Sequence, residues 1–347
     1  MVKNVMNSVE KEKPPPQTID ELNEWGYKAA IFRAALELEV WEKVAAGKDT
    51  SEQLAATEGW DPFGTRMMLD ALCSLRLLNK HDDSYSLVPE AEYYLLPDKP
   101  TYRGNFVLTE LMWEGNGQLA EAIRTGKRPI YRDFTIGAMA DHWVADYAGS
   151  WVSPERNVEQ FDALWQALDI QPRDGLKVLD VACGPGRKSL SLARRHPGVQ
   201  VTLLDWPQML QVAKGVAAAL GVEKQVTTIA GDLWTEDYGS NQYDIVWLGN
   251  ITHFFSPEDN ARLLRKSHDA LAPGGVVIIN SMVRRDGAPS LLWIALWLYA
   301  TSPCGDAYSF QDYKDMLEDA GFVNIQNVSS QLIKATSPQM DQREYYI

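Results

Sequence analysis

Between residues 176 and 282 the chain repeats one pattern: a short apolar run rich in β-branched residues, a turn containing Gly or Asp, then a stretch with helical spacing. The β-like runs are 176–181, 199–205, 225–232, 243–250 and 276–282, and helices are expected to begin near Arg187, Pro207 and Ser256. Ser256 reads as a cap, with Pro257 at the first helical position. Strands separated by helices return by crossovers and not by hairpins, so the pattern predicts a parallel, doubly wound α/β sheet. Ligands on such sheets lie beyond the carboxyl ends of the strands, which makes those ends the place to look for chemistry.

The first run, Val178-Leu179-Asp180-Val181, continues into Ala182-Cys183-Gly184-Pro185-Gly186 and then a helix. Gly184 and Gly186 permit a tight turn and let a ligand approach the backbone at a helix N-terminus. Ser189 stands where a dinucleotide fingerprint has its third glycine, which disfavours NAD. Asp205 closes the second run, 21 positions after Gly184, placed to accept both hydroxyls of a ribose. Asp232, in Ala230-Gly231-Asp232-Leu233, closes the third, where a carboxylate can accept from an adenine amino group. Asp180, Asp205 and Asp232 at three successive strand ends, with a Gly turn between, describe an adenosyl pocket.

A chain of 347 residues is too long for one ordinary core, so further domains are expected. Residues 1–17 read as a disordered, Pro-containing lead-in. In 18–100, Leu22, Trp25, Ala29, Phe32, Leu36 and Val40 form one helical stripe ending at Gly47; Thr50 or Ser51 caps a second helix and Asp61 opens a third. Two β-like runs, 77–81 and 85–88, follow around Asp82-Asp83-Ser84, completing a winged helix. Its groove-facing helix, 61–76, balances Arg66 and Arg76 against Asp61 and Asp70, and the whole chain carries a net charge of −14. The charge balance therefore disfavours nucleic acid as a partner and favours dimerisation or substrate covering. Residues 101–170 look helical and aromatic, a linker or substrate-covering segment, and 171–347 form the α/β domain. No stretch has the length of a membrane span and the N-terminus lacks an apolar signal core, so a cytoplasmic protein is expected. Cys73, Cys183 and Cys304 lie too far apart for a usual zinc spacing.

The chain resembles the class I S-adenosylmethionine (SAM)-dependent methyltransferases, specifically the plant-caffeate-type and bacterial small-molecule O-methyltransferases with an N-terminal winged-helix dimerisation domain. The loop 180–186, Leu204-Asp205, Gly231-Asp232-Leu233, the run 243–255, Leu271-Ala272-Pro273-Gly274-Gly275, Tyr308-Ser309-Phe310 and Ala320-Gly321-Phe322 carry the resemblance. It implies SAM as cofactor and S-adenosylhomocysteine as product, with contacts from Asp180, Gly184, Gly186, Asp205, Asp232, Leu233 and Asn250. It also implies a homodimer, no metal, and His253 as general base on the hydroxyl of a small, largely aromatic acceptor. Trp113, Trp143, Trp293 and Trp297 are candidate walls for that acceptor. Two departures bear on the base. Phe254-Phe255 replaces the family's frequent Asp-Trp, and Ser281 and Ala307 stand where plant members have acids, with Asp306 a nearby substitute. The departures point toward an already acidic phenol or enol, or toward methylation at carbon or nitrogen, or non-methylating chemistry with SAM bound. A winged-helix transcription regulator is the rival outside enzymology.

Overall fold

The computed structural model describes residues 15–99, 102–104, 110–127, 144, 154–285, 289–302 and 304–339. The chain divides into two units, Met1–Leu108 and Thr109–Ile347.

The first unit runs α1 (Gln17–Glu37), α2 (Val40–Ala45), α3 (Ser51–Glu58), α4 (Pro62–Ser74), a hairpin of β1 (Leu78–His81) and β2 (Ser84–Leu87), and α5 (Pro89–Tyr94). Thr50 caps α3 by accepting from the Gln53 amide, and Asp61 caps α4 by accepting from the Gly64 amide. The stripe expected to run unbroken to Gly47 is interrupted at Glu39, whose φ of 54° turns the chain between α1 and α2. Beyond that turn Val40, Trp41 and Val44 join Ala35, Leu36, Leu54, Leu69, Leu72 and Leu78 in the core. The earlier half of the stripe is bare: Ile19, Leu22 and Trp25 are each at least 60% exposed. On α4, Phe63 and Met67 are also exposed, while Arg66 and Lys80 pair with Asp70, so the face that a groove reader would use is apolar and its cations are occupied.

The second unit begins with α6 (Glu110–Gly117), α7 (Leu119–Thr125) and α8 (Pro154–Ala167). There follow β3 (Lys177–Val181), α9 (Arg187–Arg195), β4 (Gln200–Asp205), α10 (Pro207–Leu220), β5 (Val226–Ala230), β6 (Tyr243–Gly249), α11 (Pro257–Ala270) and β7 (Leu271–Asn280). The chain closes with α12 (Pro289–Thr301), α13 (Phe310–Asp319), β8 (Val323–Ser329) and β9 (Leu332–Thr336). The sheet order is β5-β4-β3-β6-β7-β9-β8. Its first five strands are parallel, as the alternation predicts, but β9 pairs antiparallel with β7 and β8 antiparallel with β9, so the sheet is mixed. The reason is local. Only Ser330 and Gln331 separate β8 from β9, and so short a link makes a hairpin. β8, a largely exposed edge strand with Asn324, Gln326 and Asn327, has no apolar run to announce it.

Alternation along β6 shows why the sheet needs cover on both sides. Val246 and Leu248 pack with Leu263 and Leu264 of α11 and Tyr313 and Leu317 of α13, whereas Ile245 and Trp247 pack with Trp165 of α8, Leu190 of α9 and Val216 of α10. Each such side chain contributes about 1.5–3 kcal/mol on burial. Strand order reverses at β3, flanked by β4 on one side and β6 on the other, which opens the crevice where such sheets bind ligands. Among the described residues no helix is long and apolar enough to cross a membrane.

Candidate active site

The loop after β3 is built from left-handed backbone: φ is 52° at Ala182, 55° at Gly184 and 65° at Gly186. A Cβ at Gly186 would stand 3.2 Å from both Leu190 and Leu203, so glycine is needed there for conformation and for space. Gly186 is also the N-cap of α9 and has no capping side chain, which leaves the helix's first amides available to a ligand. The Cys183 amide donates to the Leu204 carbonyl (3.1 Å), tying the loop to the end of β4.

Asp205 is the last residue of β4. One carboxylate oxygen accepts from the Gly184 amide and the other from the Trp206 amide, both at 2.8 Å. Burial pushes its pKa up to about 6, and the two amides restrain the rise. Each oxygen keeps a lone pair, the equipment for taking two ribose hydroxyls. The Gly231 amide donates to the Asp205 carbonyl (3.1 Å), which sets Asp232 beside it. Asp232 lies two residues past β5 and not at its end as expected, because the strand stops at Ala230; its carboxylate accepts from the Trp234 amide at 2.8 Å. Leu233, half-buried, packs on the core while its carbonyl accepts from Tyr238 and Lys266.

Asp180 stands one residue short of the strand end expected of it. It is the penultimate residue of β3 and only 3% exposed, and its carboxylate accepts a 2.5 Å hydrogen bond from Ser189. Burial drives its pKa up to about 7, with the Ser189 bond opposing. It braces the loop from beneath. Ser189, read as a missing third glycine, is the donor that makes this brace possible. Sequence reading also passed over Lys188, whose ammonium lies 5.9 Å from the ring centroids of both Phe161 and Trp247 and whose pKa burial lowers. No motif signals it.

Past β6, Asn250 adopts φ 55° and its amide donates to the Asn280 carbonyl at 2.7 Å, bending the chain into the turn Thr252–Phe254. His253 lies on this turn, 6% exposed. Its Nδ1 is 3.0 Å from Ser281 Oγ, and its carbonyl accepts from the Asp306 amide at 3.1 Å. Burial lowers its pKa to about 4, so the ring is neutral near pH 7. Asp306 does not orient the ring as a substitute acid. Its carboxylate accepts from the Ala307 amide and pairs with Arg284, leaving Ser281 as the partner of the imidazole. Phe254 and Phe255, which replace the family's Asp-Trp, are buried in the core, Phe255 against Trp234. Asn260 donates to the Thr252 carbonyl and Tyr308 to the Phe255 carbonyl, clamping the turn on both sides.

Of the candidate aromatic walls, Trp113 on α6 and Trp297 on α12 are half-buried, and their helices meet at Gly115, where any Cβ would collide with Thr301 and the Trp297 indole. Trp293 is 61% exposed and turned away from that packing. Trp143 lies outside the described residues.

Residues 178–275 match a methyltransferase domain and residues 25–97 an O-methyltransferase dimerisation domain. Tetracenomycin polyketide synthesis 8-O-methyl transferase of Streptomyces glaucescens is 28% identical over 326 residues, covering 90% of this chain and 93% of that protein. L-tyrosine C(3)-methyltransferase of Streptomyces lavendulae is 26% identical over 309 residues, covering 84% of this chain and 82% of that protein. The solved structure of PigF with S-adenosylhomocysteine, PigF being a SAM-dependent methyl transferase of Serratia sp., shares the fold at a TM-score of 0.79. That match is 20% identical and covers 95% of this chain and 100% of the other. The left-handed Gly loop, the open helix end and the half-satisfied Asp205 carboxylate fit SAM, and the chain belongs to the class I SAM-dependent O-methyltransferase family that carries an N-terminal dimerisation domain.

Proposed function

We propose that this enzyme, as a homodimer, transfers the methyl group of SAM to a hydroxyl oxygen of a small, largely aromatic metabolite of phenolic or enolic type. The observation that carries the reading is a neutral, buried imidazole, His253, in the turn after β6, one strand over from the cofactor loop after β3. SAM supplies a methyl group on a positively charged sulfur. Gly184 and Gly186 admit it to the backbone, Asp205 accepts from its ribose and Asp232 from its adenine amino group, while Leu233 and Asn250 border the pocket. His253 meets the acceptor oxygen and handles its proton. The general-base role implied by the resemblance asks two things of the ring: that it be neutral, which burial secures, and that Nε2 carry a lone pair. Positioning of oxygen against methyl supplies much of the acceleration.

The bare stripe Ile19, Leu22 and Trp25, within a unit matching a dimerisation domain, supports the homodimer. The relative from S. lavendulae, a carbon methyltransferase by name, supports a second reading, because a phenolate carries negative charge on ring carbons as well as on oxygen. Incubation with methyl-labelled SAM and a panel of phenols and enols, with product analysis by mass spectrometry, separates the two. Label on oxygen is expected. Label on carbon selects the second reading, and SAM binding without transfer to any acceptor overturns both.

A further inference from the structure

Two donors beside the Gly loop end without an acceptor. Lys188 is the second residue of α9, and its ammonium stands 5.9 Å from the ring centroids of Phe161 on α8 and Trp247 on β6. Among the described residues it makes no hydrogen bond or salt bridge. Half-buried Lys266 and Lys334, by contrast, each donate to a main-chain carbonyl, and Lys43 and Lys48 pair with Glu58. Asp180 attracts the Lys188 ammonium from beneath the loop but forms no salt bridge with it. Its carboxylate is engaged by Ser189, and with a pKa of about 7 it is only partly ionised near neutrality. Trp247 is 2% exposed, and its indole N–H has no partner among the described residues, whereas the indoles of Trp41 and Trp165 donate to the Leu77 carbonyl and to Ser191 Oγ. Its Nε1 edge lies toward the end of the strand: a Cβ at Gly249, the last residue of β6, would stand 2.6 Å from Nε1. Among the described residues the side-chain atoms both sealed from solvent and unpaired are Asp162 Oδ1, Asn260 Oδ1 and His268 Nε2, so Lys188 Nζ and Trp247 Nε1 still reach open space.

An ammonium and an indole N–H only donate, and so do the first amides of α9, left open because Gly186 has no capping side chain. The two aromatic faces attract the cation without accepting its hydrogen bonds, so a charge drawn out of water here still lacks its counterpart. The group that completes such a set is an anion with more than one acceptor oxygen. Sheet order shows which end of the cofactor brings it. Strands run β5-β4-β3-β6, with Asp232 past β5, Asp205 at the end of β4 and Trp247 on β6. A SAM molecule whose adenine and ribose meet the two acids continues over the Gly loop after β3 toward β6. Its methionine end arrives there, carrying the one anionic group of the cofactor, the α-carboxylate.

We propose that the Lys188 ammonium and the Trp247 indole N–H, with the open amides of α9, bind the α-carboxylate of SAM and of its product S-adenosylhomocysteine. The proposal rests on the fit of the site to SAM and is independent of which acceptor atom is methylated. Phe161 serves it by giving the cation a second aromatic face, and Gly249 by leaving room for the indole edge at the end of β6. Gripped by acids at its adenosine end and by donors at its amino-acid end, the cofactor is held on both sides of its sulfur. The site thereby separates SAM from adenosine compounds that lack the carboxylate.

Binding can be read without any turnover. Calorimetry on the full-length protein compares S-adenosylhomocysteine with its decarboxylated analogue S-adenosyl-3-thiopropylamine, which keeps the adenosine, the sulfur and the amine. The native protein should bind the analogue about 10- to 100-fold more weakly, the worth of charge-assisted hydrogen bonds. Lys188→Met should weaken S-adenosylhomocysteine by a similar factor and leave the analogue unchanged, while Lys188→Arg should keep most of the native preference. Trp247→Phe, which retains an aromatic ring and loses the N–H, should weaken S-adenosylhomocysteine about three- to tenfold and the analogue hardly at all. Equal losses for the two ligands in these variants would mean that the side chains only shape the loop, and would overturn the proposal. So would a native protein that binds both ligands alike, or a Lys188→Met protein with native affinity for S-adenosylhomocysteine. Should Lys188→Met not fold, the native comparison and Trp247→Phe decide. Binding of neither ligand by the native protein removes the proposal together with the fit to SAM on which it rests.

Discussion

Asp205 keeps a carboxylate in a place that disfavours charge, and the two amides on it are what make the arrangement tolerable. Its lone pairs are useful only while it is ionised. Asp205→Ala should therefore weaken SAM binding by about 1.5–3 kcal/mol, the worth of hydrogen bonds to a charged group, as read by calorimetry. Because burial places its pKa at about 6, the native protein should itself lose SAM affinity as pH falls below that value, approaching tenfold per unit, and Asp205→Ala should lack this limb. Asp180 carries the same sign into stability. Its folded pKa of about 7 lies above the usual carboxylate value, so the folded state binds the extra proton between about pH 4 and 7, and stability declines as pH rises across that window. Asp180→Asn should flatten that decline in a thermal-unfolding series, and an unchanged slope would assign it to other groups. His253→Ala removes the base proposed for the acceptor's proton. It should lower kcat/KM roughly 10²–10⁴-fold while SAM affinity stays constant, because the imidazole acts on the acceptor in the transition state and not on the cofactor.

The elements that position these residues were legible in the sequence to different degrees. Five parallel strands and their helices could be read because the strands are largely apolar runs and the helix starts are marked by the Gly turn at Gly186, by Pro207 and by the Ser256 cap of α11. β8 and β9 could not, since an edge hairpin needs no apolar run. The acids at the strand ends were visible from spacing. The roles of Ser189 and Ser281 were not, because a serine shows its function only once its neighbour is known: Asp180 for one, His253 for the other. Gly115 is another such residue. It lets α6 lie against α12, and Gly115→Ala should cost about 1–3 kcal/mol in chemical denaturation and raise KM for the acceptor more than for SAM, because Trp113 and Trp297 sit on those two helices. The bare half of α1 tests the dimer in the same way. Leu22→Glu with Trp25→Glu should convert a dimer into a monomer by light scattering, whereas an intact dimer would place the interface elsewhere.

At the scale of the whole molecule, a net charge of −14 acts on every small molecule that approaches. SAM at neutral pH carries a sulfonium, an ammonium and a carboxylate, one net positive charge, and its demethylated product carries none. The field therefore draws in the cofactor and releases the product without favour. An acceptor that arrives as an oxyanion meets the opposite force. These forces extend over a Debye length, about 30 Å at 10 mM salt and 10 Å at 100 mM, so salt separates them. Raising salt from roughly 20 to 200 mM should lower kcat/KM for SAM by about two- to fivefold and raise it by a similar factor for an ionised phenol, while a phenol that is neutral at the assay pH responds little. Steady-state kinetics with one acceptor at two pH values, above and below its own pKa, supplies the comparison on a single molecule. Equal salt dependence of both forms would mean that the acceptor's path lies beyond the reach of the surface charge and that selection among acceptors rests on the site alone.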